Sequence, residues 1–145
     1  MISTIFTAAA FSACTAARWY LRRTSRRAVS LLGGHVRLTE LRNSGAAFSL
    51  PVSRALVISG SLAALAEALR RRKQNPAAAG LLLGGGLSNL WERLHEGEVY
   101  DYLQFPKAPG PLKRYVYNLA DLAIILGACG LASGKQERRR FRRKR

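Results

Sequence analysis

Four stretches of the chain are nearly free of charge, and the charged residues gather between them. Residues 1–17 carry no ionisable side chain except Cys14, and residues 74–91 have no Asp, Glu, Lys or Arg. Residues 55–69 carry one formal charge, Glu67, and residues 115–134 carry one, Asp121. A helix needs about 20 mostly apolar residues to cross a bilayer core, with a lower limit near 17. The first, third and fourth stretches reach that length unaided. The second reaches it only by running from about Phe48, across Arg54, to Leu69. The pattern predicts four transmembrane helices, at about 1–20, 53–70, 77–94 and 117–134. The last two show no polar stripe at helical spacing, which a surface helix of a soluble bundle would carry. The run Gly84-Gly85-Gly86 would weaken a soluble helix, whereas in a membrane small residues let helix backbones approach closely.

The segments between the helices differ in character. Val36, Leu38 and Leu41 alternate with Arg37, Thr39, Glu40 and Arg42, which predicts a short strand leading to a turn at Asn43-Ser44-Gly45. Pro106, Pro109, Gly110 and Pro111 predict a loop with a turn within 95–114. Four helices put both termini on one face of the membrane, so the two structured segments, about 21–52 and 95–116, share the other. The expected organisation is one transmembrane unit over 1–134 and a basic tail over 135–145. Chemistry belongs on the face with the structured loops.

The chain has 145 residues and a formal net charge of +16, with 48% apolar residues. So strong a basic balance suggests nucleic acid first. The distribution argues against that partner, because the bases sit at the ends of apolar stretches. Eight lie in 18–54, four in 70–73, four in 92–114 and eight in 135–145. The excess of Lys and Arg that marks a cytoplasmic face is therefore tied at twelve a side. The dense tail favours its own side as cytoplasmic. Arg18, Arg22, Arg23, Arg26 and Arg27 pull the other way, and would suit a short helix on the headgroups or contact with anionic lipid. Two cysteines, Cys14 and Cys129, exclude a disulfide framework and a Cys-based zinc cluster.

Only two aspartates are present, Asp101 and Asp121. Asp101 lies among apolar and aromatic neighbours in Glu98-Val99-Tyr100-Asp101-Tyr102, and Asp121 about one turn into the fourth helix. An ionisable group within a membrane segment points to function, because burying it is costly. A lone Asp121 could equally be a charge favoured at a helix N-terminus, or a partner for an arginine. The pair changes the reading, since both fall on the same side and can converge at one depth. Two carboxyls close together in a low dielectric cannot both ionise easily. One keeps its proton and the other stays a base, so together they can activate a water and protonate a leaving amine. That is aspartic peptide hydrolysis, which needs no metal. His35 and His95 lack zinc-protease spacing, and no Gly-x-Ser-x-Gly elbow is present. Asn43, Asn89, Arg93 and Asn118 fall on the same side and offer donors and acceptors around the carboxylates.

These residues together resemble a known family. Arg42-Asn43-Ser44-Gly45-Ala46-Ala47-Phe48 resembles the Asn-x-Gly-Ala-Ala-Phe motif of signal peptidase II, the lipoprotein signal peptidase. Gly84 to Leu94 (GGGLSNLWERL) resembles its Gly-Gly-x-x-Gly-Asn-x-x-Asp-Arg motif. Gly97-Glu98-Val99-Tyr100-Asp101-Tyr102 and Tyr117-Asn118-Leu119-Ala120-Asp121 resemble the two motifs that carry its catalytic aspartates. The motifs occur in the family's order over about residues 35–130.

The resemblance implies an all-α membrane protein of four transmembrane helices with a small extracytoplasmic β-cradle. It implies a bacterial cytoplasmic-membrane location with both termini cytoplasmic, which resolves the tie in charge. The implied activity is cleavage of prolipoproteins just before a diacylglyceryl-modified cysteine, without a cofactor. Asp101 and Asp121 would be the catalytic dyad, and Asn43, Asn89, Arg93 and Asn118 would contact substrate. The expected partners are the lipidated prolipoprotein and membrane lipids, with no nucleic acid, and the expected state is a monomer. The alternative is an inactive protein of the same fold that binds lipidated peptides. The chain departs from the family in carrying Arg54 in the second helix, in being shorter than most members, and in three further places. Cys14 and Thr15, followed by Arg18, stand near the usual Asp-Gln pair. Ser88 replaces a motif glycine, and Glu92 replaces a motif aspartate, with Arg93 or a cradle residue as its expected partner.

Overall fold

The computed structural model describes residues 1–24, 28–45 and 52–143. Arg26 and Arg27 of the basic stretch, Ala46, Ala47 and Phe48 of the first motif, and Lys144 and Arg145 of the tail lie outside them. The elements in chain order are α1 (Ile2–Thr24), β1 (Val29–Leu31), β2 (Val36–Asn43), α2 (Arg54–Arg71), α3 (Pro76–Glu96), β3 (Val99–Gln104), β4 (Val116–Tyr117) and α4 (Leu119–Arg143). The strands form one antiparallel sheet in the order β1-β2-β3-β4. The α1–α2 and α3–α4 connections supply all four strands, so the sheet caps one end of the bundle. The other end has the short turn between α2 and α3.

Local chemistry fixes the helix ends. Asn75 caps α3 by accepting from the Ala78 N–H at 3.1 Å, and Pro76 occupies the first helical position, where no N–H is needed. Gly97 ends α3 in the left-handed conformation at φ 80°, which a residue with a Cβ adopts only under strain. The chain then turns directly into β3, two residues later.

Helix α3 is central, packed along α1 on one side and α4 on the other, with α2 more lightly attached. Its glycines make this possible. A Cβ on Gly84 would lie 2.6 Å from the Thr7 carbonyl oxygen of α1, and one on Gly85 would lie 2.6 Å from the Ala120 carbonyl oxygen of α4. Small residues on α3 therefore hold the helix axes close. The interior is small or polar, with Ala78, Ala79, Ser88, Asn89 and Glu92 buried, while Ile5, Leu56, Leu62 and Leu126 are exposed.

That inversion bears on the expected spans. Among the described residues, no helix is long and apolar enough to cross a membrane. The sequence-based expectation of four plainly apolar spans is not met, because Gly, Ser and Asn at the helix contacts, together with Arg18, Arg54, Glu92 and Arg93 within the helices, lower mean hydropathy. Leu65, Leu90 and Leu131 are buried, but many other large apolar side chains turn outward. Two further expectations are corrected. Among the described residues, Arg18, Arg22 and Arg23 of the basic stretch belong to α1 itself, which continues to Thr24 and turns Arg18 and Arg22 inward. The fourth helix does not stop near residue 134, since α4 runs into the basic segment as far as Arg143.

Candidate active site

Strand register brings the first two site residues together. Leu41 pairs with Asp101 and Asn43 with Val99, so Asn43 and Asp101 are diagonal neighbours on one face of the sheet. The Asn43 Nδ2 donates to Asp101 Oδ2 at 3.1 Å. The Asn43 Oδ1 accepts from the Gly45 N–H at 3.0 Å, fixing the turn that follows β2. Asp101 is within β3, not at the end of a loop, and is 2% exposed.

The second aspartate is positioned by the start of α4. Asn118 and Asp121 form a reciprocal capping box: the Asp121 N–H donates to Asn118 Oδ1 at 2.9 Å, and the Asn118 N–H donates to Asp121 Oδ2 at 3.0 Å. The Leu119 N–H, otherwise unpaired within the helix, donates to the Tyr102 hydroxyl at 3.2 Å. The Asn89 Nδ2 donates from α3 to Asp121 Oδ1 at 2.9 Å. Both Asp121 oxygens are thus engaged, and the helix-capping alternative holds alongside any chemistry.

Asn118 also joins the two aspartates. Its Nδ2 donates to Asp101 Oδ1 at 2.7 Å while its Oδ1 receives the Asp121 N–H. One buried amide therefore sets the relative placement of the two carboxyls. Burial, followed by the charge of Asp121, pushes the Asp101 carboxyl up to about 6, against the opposing hydrogen bonds from Asn43 and Asn118. Arg93 donates to the Gly45 carbonyl at 3.2 Å, and its charge acts on Asp101 through space.

These residues line the polar end of a cavity of about 480 Å³ that also takes in Leu56, Val57, Leu65, Leu82, Ile124 and Ile125 from α2, α3 and α4. A mostly apolar channel thus ends on two carboxyls. The structure brings Asn43, Asn89, Arg93, Asp101 and Asp121 to this cavity, with Asn118 buried behind and between the aspartates.

Sequence reasoning missed three contributors. Tyr102 receives the first N–H of α4, and an aromatic hydroxyl beside Asp101 was the only signal. Gly85 gives α4 its close approach, and the glycine run pointed to packing without naming the neighbour. Glu92 does not pair with Arg93. It pairs with Arg18 at 3.0 Å and with Arg22 at 2.6 Å, because consecutive helix residues point about 100° apart.

Two carboxyls bridged by one buried amide thus face a largely apolar cavity within a helical bundle. The family model described as Signal peptidase (SPase) II matches residues 5–134. The lipoprotein signal peptidase of Syntrophomonas wolfei subsp. wolfei is 36% identical over 132 residues, covering 83% of this chain and 83% of that protein. That of Chlorobium luteolum is 29% identical over 126 residues, covering 77% and 75%. A solved structure titled "Bacterial membrane enzyme structure by the in meso method at 2.3 A resolution" has a TM-score of 0.81 at 16% identity, covering 93% of this chain and 87% of that one, and shares the fold. The chain belongs to the signal peptidase II family and is an aspartic endopeptidase of that type.

Proposed function

We propose that Asp101 and Asp121 are the catalytic dyad of an endopeptidase that removes signal peptides from prolipoproteins just before a diacylglyceryl-modified cysteine. The observation that carries this reading is the Asn118 bridge, which ties both carboxyls to one side chain at the polar end of the cavity. We assign the shared proton to Asp101, whose carboxyl burial pushes up to about 6, and the role of base to Asp121. Asp121 takes a proton from a water, whose oxygen attacks the scissile carbonyl carbon. Asp101 gives its proton to the carbonyl oxygen. Collapse of the tetrahedral intermediate breaks the C–N bond, and the leaving amine takes up a proton from the dyad.

The apolar lining from α2, α3 and α4 suits the hydrophobic part of a signal peptide and lipid chains. Asn43, Asn89 and Asn118 hold the dyad, and Asn43, Asn89 and Arg93, which line the cavity, offer contacts to the substrate backbone. The sheet lies on the extracytoplasmic side and both termini are cytoplasmic, in keeping with the basic turn between α2 and α3. The protein acts as a monomer among membrane lipids. Incubation with a diacylglyceryl-modified prolipoprotein, and with the unmodified precursor, tests this. The wild type shortens only the modified form. Asp101→Asn and Asp121→Asn each lower cleavage by at least about 10³-fold while the protein stays membrane-inserted. Normal cleavage by either variant removes the dyad.

A further inference from the structure

The buried ionic cluster at the α1–α3 contact is not needed by the hydrolytic steps, yet it adjoins them. Arg18 is 7% exposed, Glu92 2% and Ser88 0%. The Arg18 Nε lies 3.0 Å from Glu92 Oε2, and its guanidinium also donates to Ser88 Oγ at 3.1 Å. Arg22 donates to Glu92 Oε1 and to Glu96 Oε1, both at 2.6 Å. The same Arg22 guanidinium lies 5.1 Å from the centre of the Tyr100 ring. Tyr100 immediately precedes Asp101. Glu92 also stands one turn from Asn89, which holds Asp121.

A buried ion pair is weak evidence for stability, since well-packed apolar residues often serve as well or better. Its retention here therefore calls for another role. We infer that Arg18, Arg22 and Glu92 are positioning residues: Arg18 holds the Glu92 carboxylate, Glu92 holds the Arg22 guanidinium over the Tyr100 ring, and that contact sets the depth of Asp101 opposite Asp121. Arg18 acts through Glu92, so losing both groups is no worse than losing Glu92 alone.

This inference rests on Asp101 being catalytic, and the experiment separates the two claims. Cleavage of a diacylglyceryl-modified prolipoprotein is measured for the full chain in detergent micelles, with kcat and KM resolved and thermal unfolding followed in parallel. Asp101→Asn is the control for the dyad. Arg18→Met is expected to lower kcat about 10- to 100-fold with KM within about threefold, because reacting groups are displaced while substrate binding persists. Arg18→Lys recovers most of the loss. Glu92→Gln lowers kcat at least as far, and adding Arg18→Met to it gives no further loss.

The double variant Arg18→Leu with Glu92→Met guards against simple unfolding. It is expected to regain wild-type unfolding temperature without regaining kcat. Recovery of kcat in that variant would reduce the cluster to packing and overturn the inference. So would multiplication of the Arg18→Met and Glu92→Gln effects, or a loss confined to KM. If Asp101→Asn is inactive while Glu92→Gln is fully active, only the positioning role fails. If Asp101→Asn is active, the dyad itself fails.

Discussion

Replacing Gly85 with alanine adds one methyl where α3 meets α4, and the structure gives the size of the disturbance. The new Cβ would lie 2.6 Å from the Ala120 carbonyl oxygen and 3.1 Å from the Ala123 Cβ, where ordinary contact begins at 3.4 Å. The obstruction is backbone, so it cannot rotate away, and α4 must retreat by about 0.8 Å at Ala120. Asp121 is the next residue. Its hydrogen bond from Asn89, 2.9 Å at present, would lengthen to about 3.7 Å, past hydrogen-bonding range. A misplacement of about 1 Å between reacting groups can slow a reaction about 10²-fold. Gly85→Ala should therefore lower kcat about 10- to 100-fold and leave KM within about threefold. The assay is cleavage of a fluorescent lipidated precursor, followed by gel shift. Gly60→Ala is the control for helix content, since a Cβ at Gly60 meets nothing within 4 Å. Its unfolding temperature should be unchanged or raised. A Gly85→Ala enzyme with kcat within twofold of wild type would refute the claim that close α3–α4 packing sets the dyad.

Three further outcomes follow from the electrostatics of Asp101. With Asp101 at about 6 and acting as the protonated member, kcat/KM should fall as pH rises above that value; a flat profile from pH 5 to 8 would contradict this. Asn43→Ala removes a donor to the ionised form of Asp101, so that descending limb should move to higher pH; a shift to lower pH would count against the assigned hydrogen bond. Asp101 is raised from an ordinary 3.8 to about 6, so the folded state binds its proton more tightly than the unfolded chain does. Stability present below the ordinary value is then lost as pH rises through about 6, by up to about 3 kcal/mol. Thermal unfolding of wild type and Asp101→Asn at pH 4 and pH 8 checks the sign, since the variant should lack this slope.

Much of the site was legible because its residues sit in short local patterns. Asp121, about one turn into the fourth helix, is readable as a charge suited to its N-terminus, and the alternation over 36–42 foretold β2. The pairing of Arg18 with Glu92 was not legible. The two residues are far apart in sequence, and neighbouring bases in the chain suggested a solvated stretch at the headgroups. Their meeting depends on how α1 rolls on α3, which Gly84 decides by direct backbone approach. The apolarity of the spans was overestimated for a related reason. Helix length was readable, but the allotment of small residues to the interior and large ones to the outside required the packed bundle.

By itself the sequence determined the number and rough extent of the helices, the turn chemistry, and the scarcity of carboxylates that singled out Asp101 and Asp121. These are local properties, set by side-chain type and spacing. Only the tertiary structure decided that β2 pairs with β3 in the register placing Asn43 beside Asp101, and that Asn118 reaches across to both carboxyls. Only it buried Glu92 between two arginines. Such contacts depend on strand register and helix rotation, and a shift of one residue or about 100° would separate the same groups entirely.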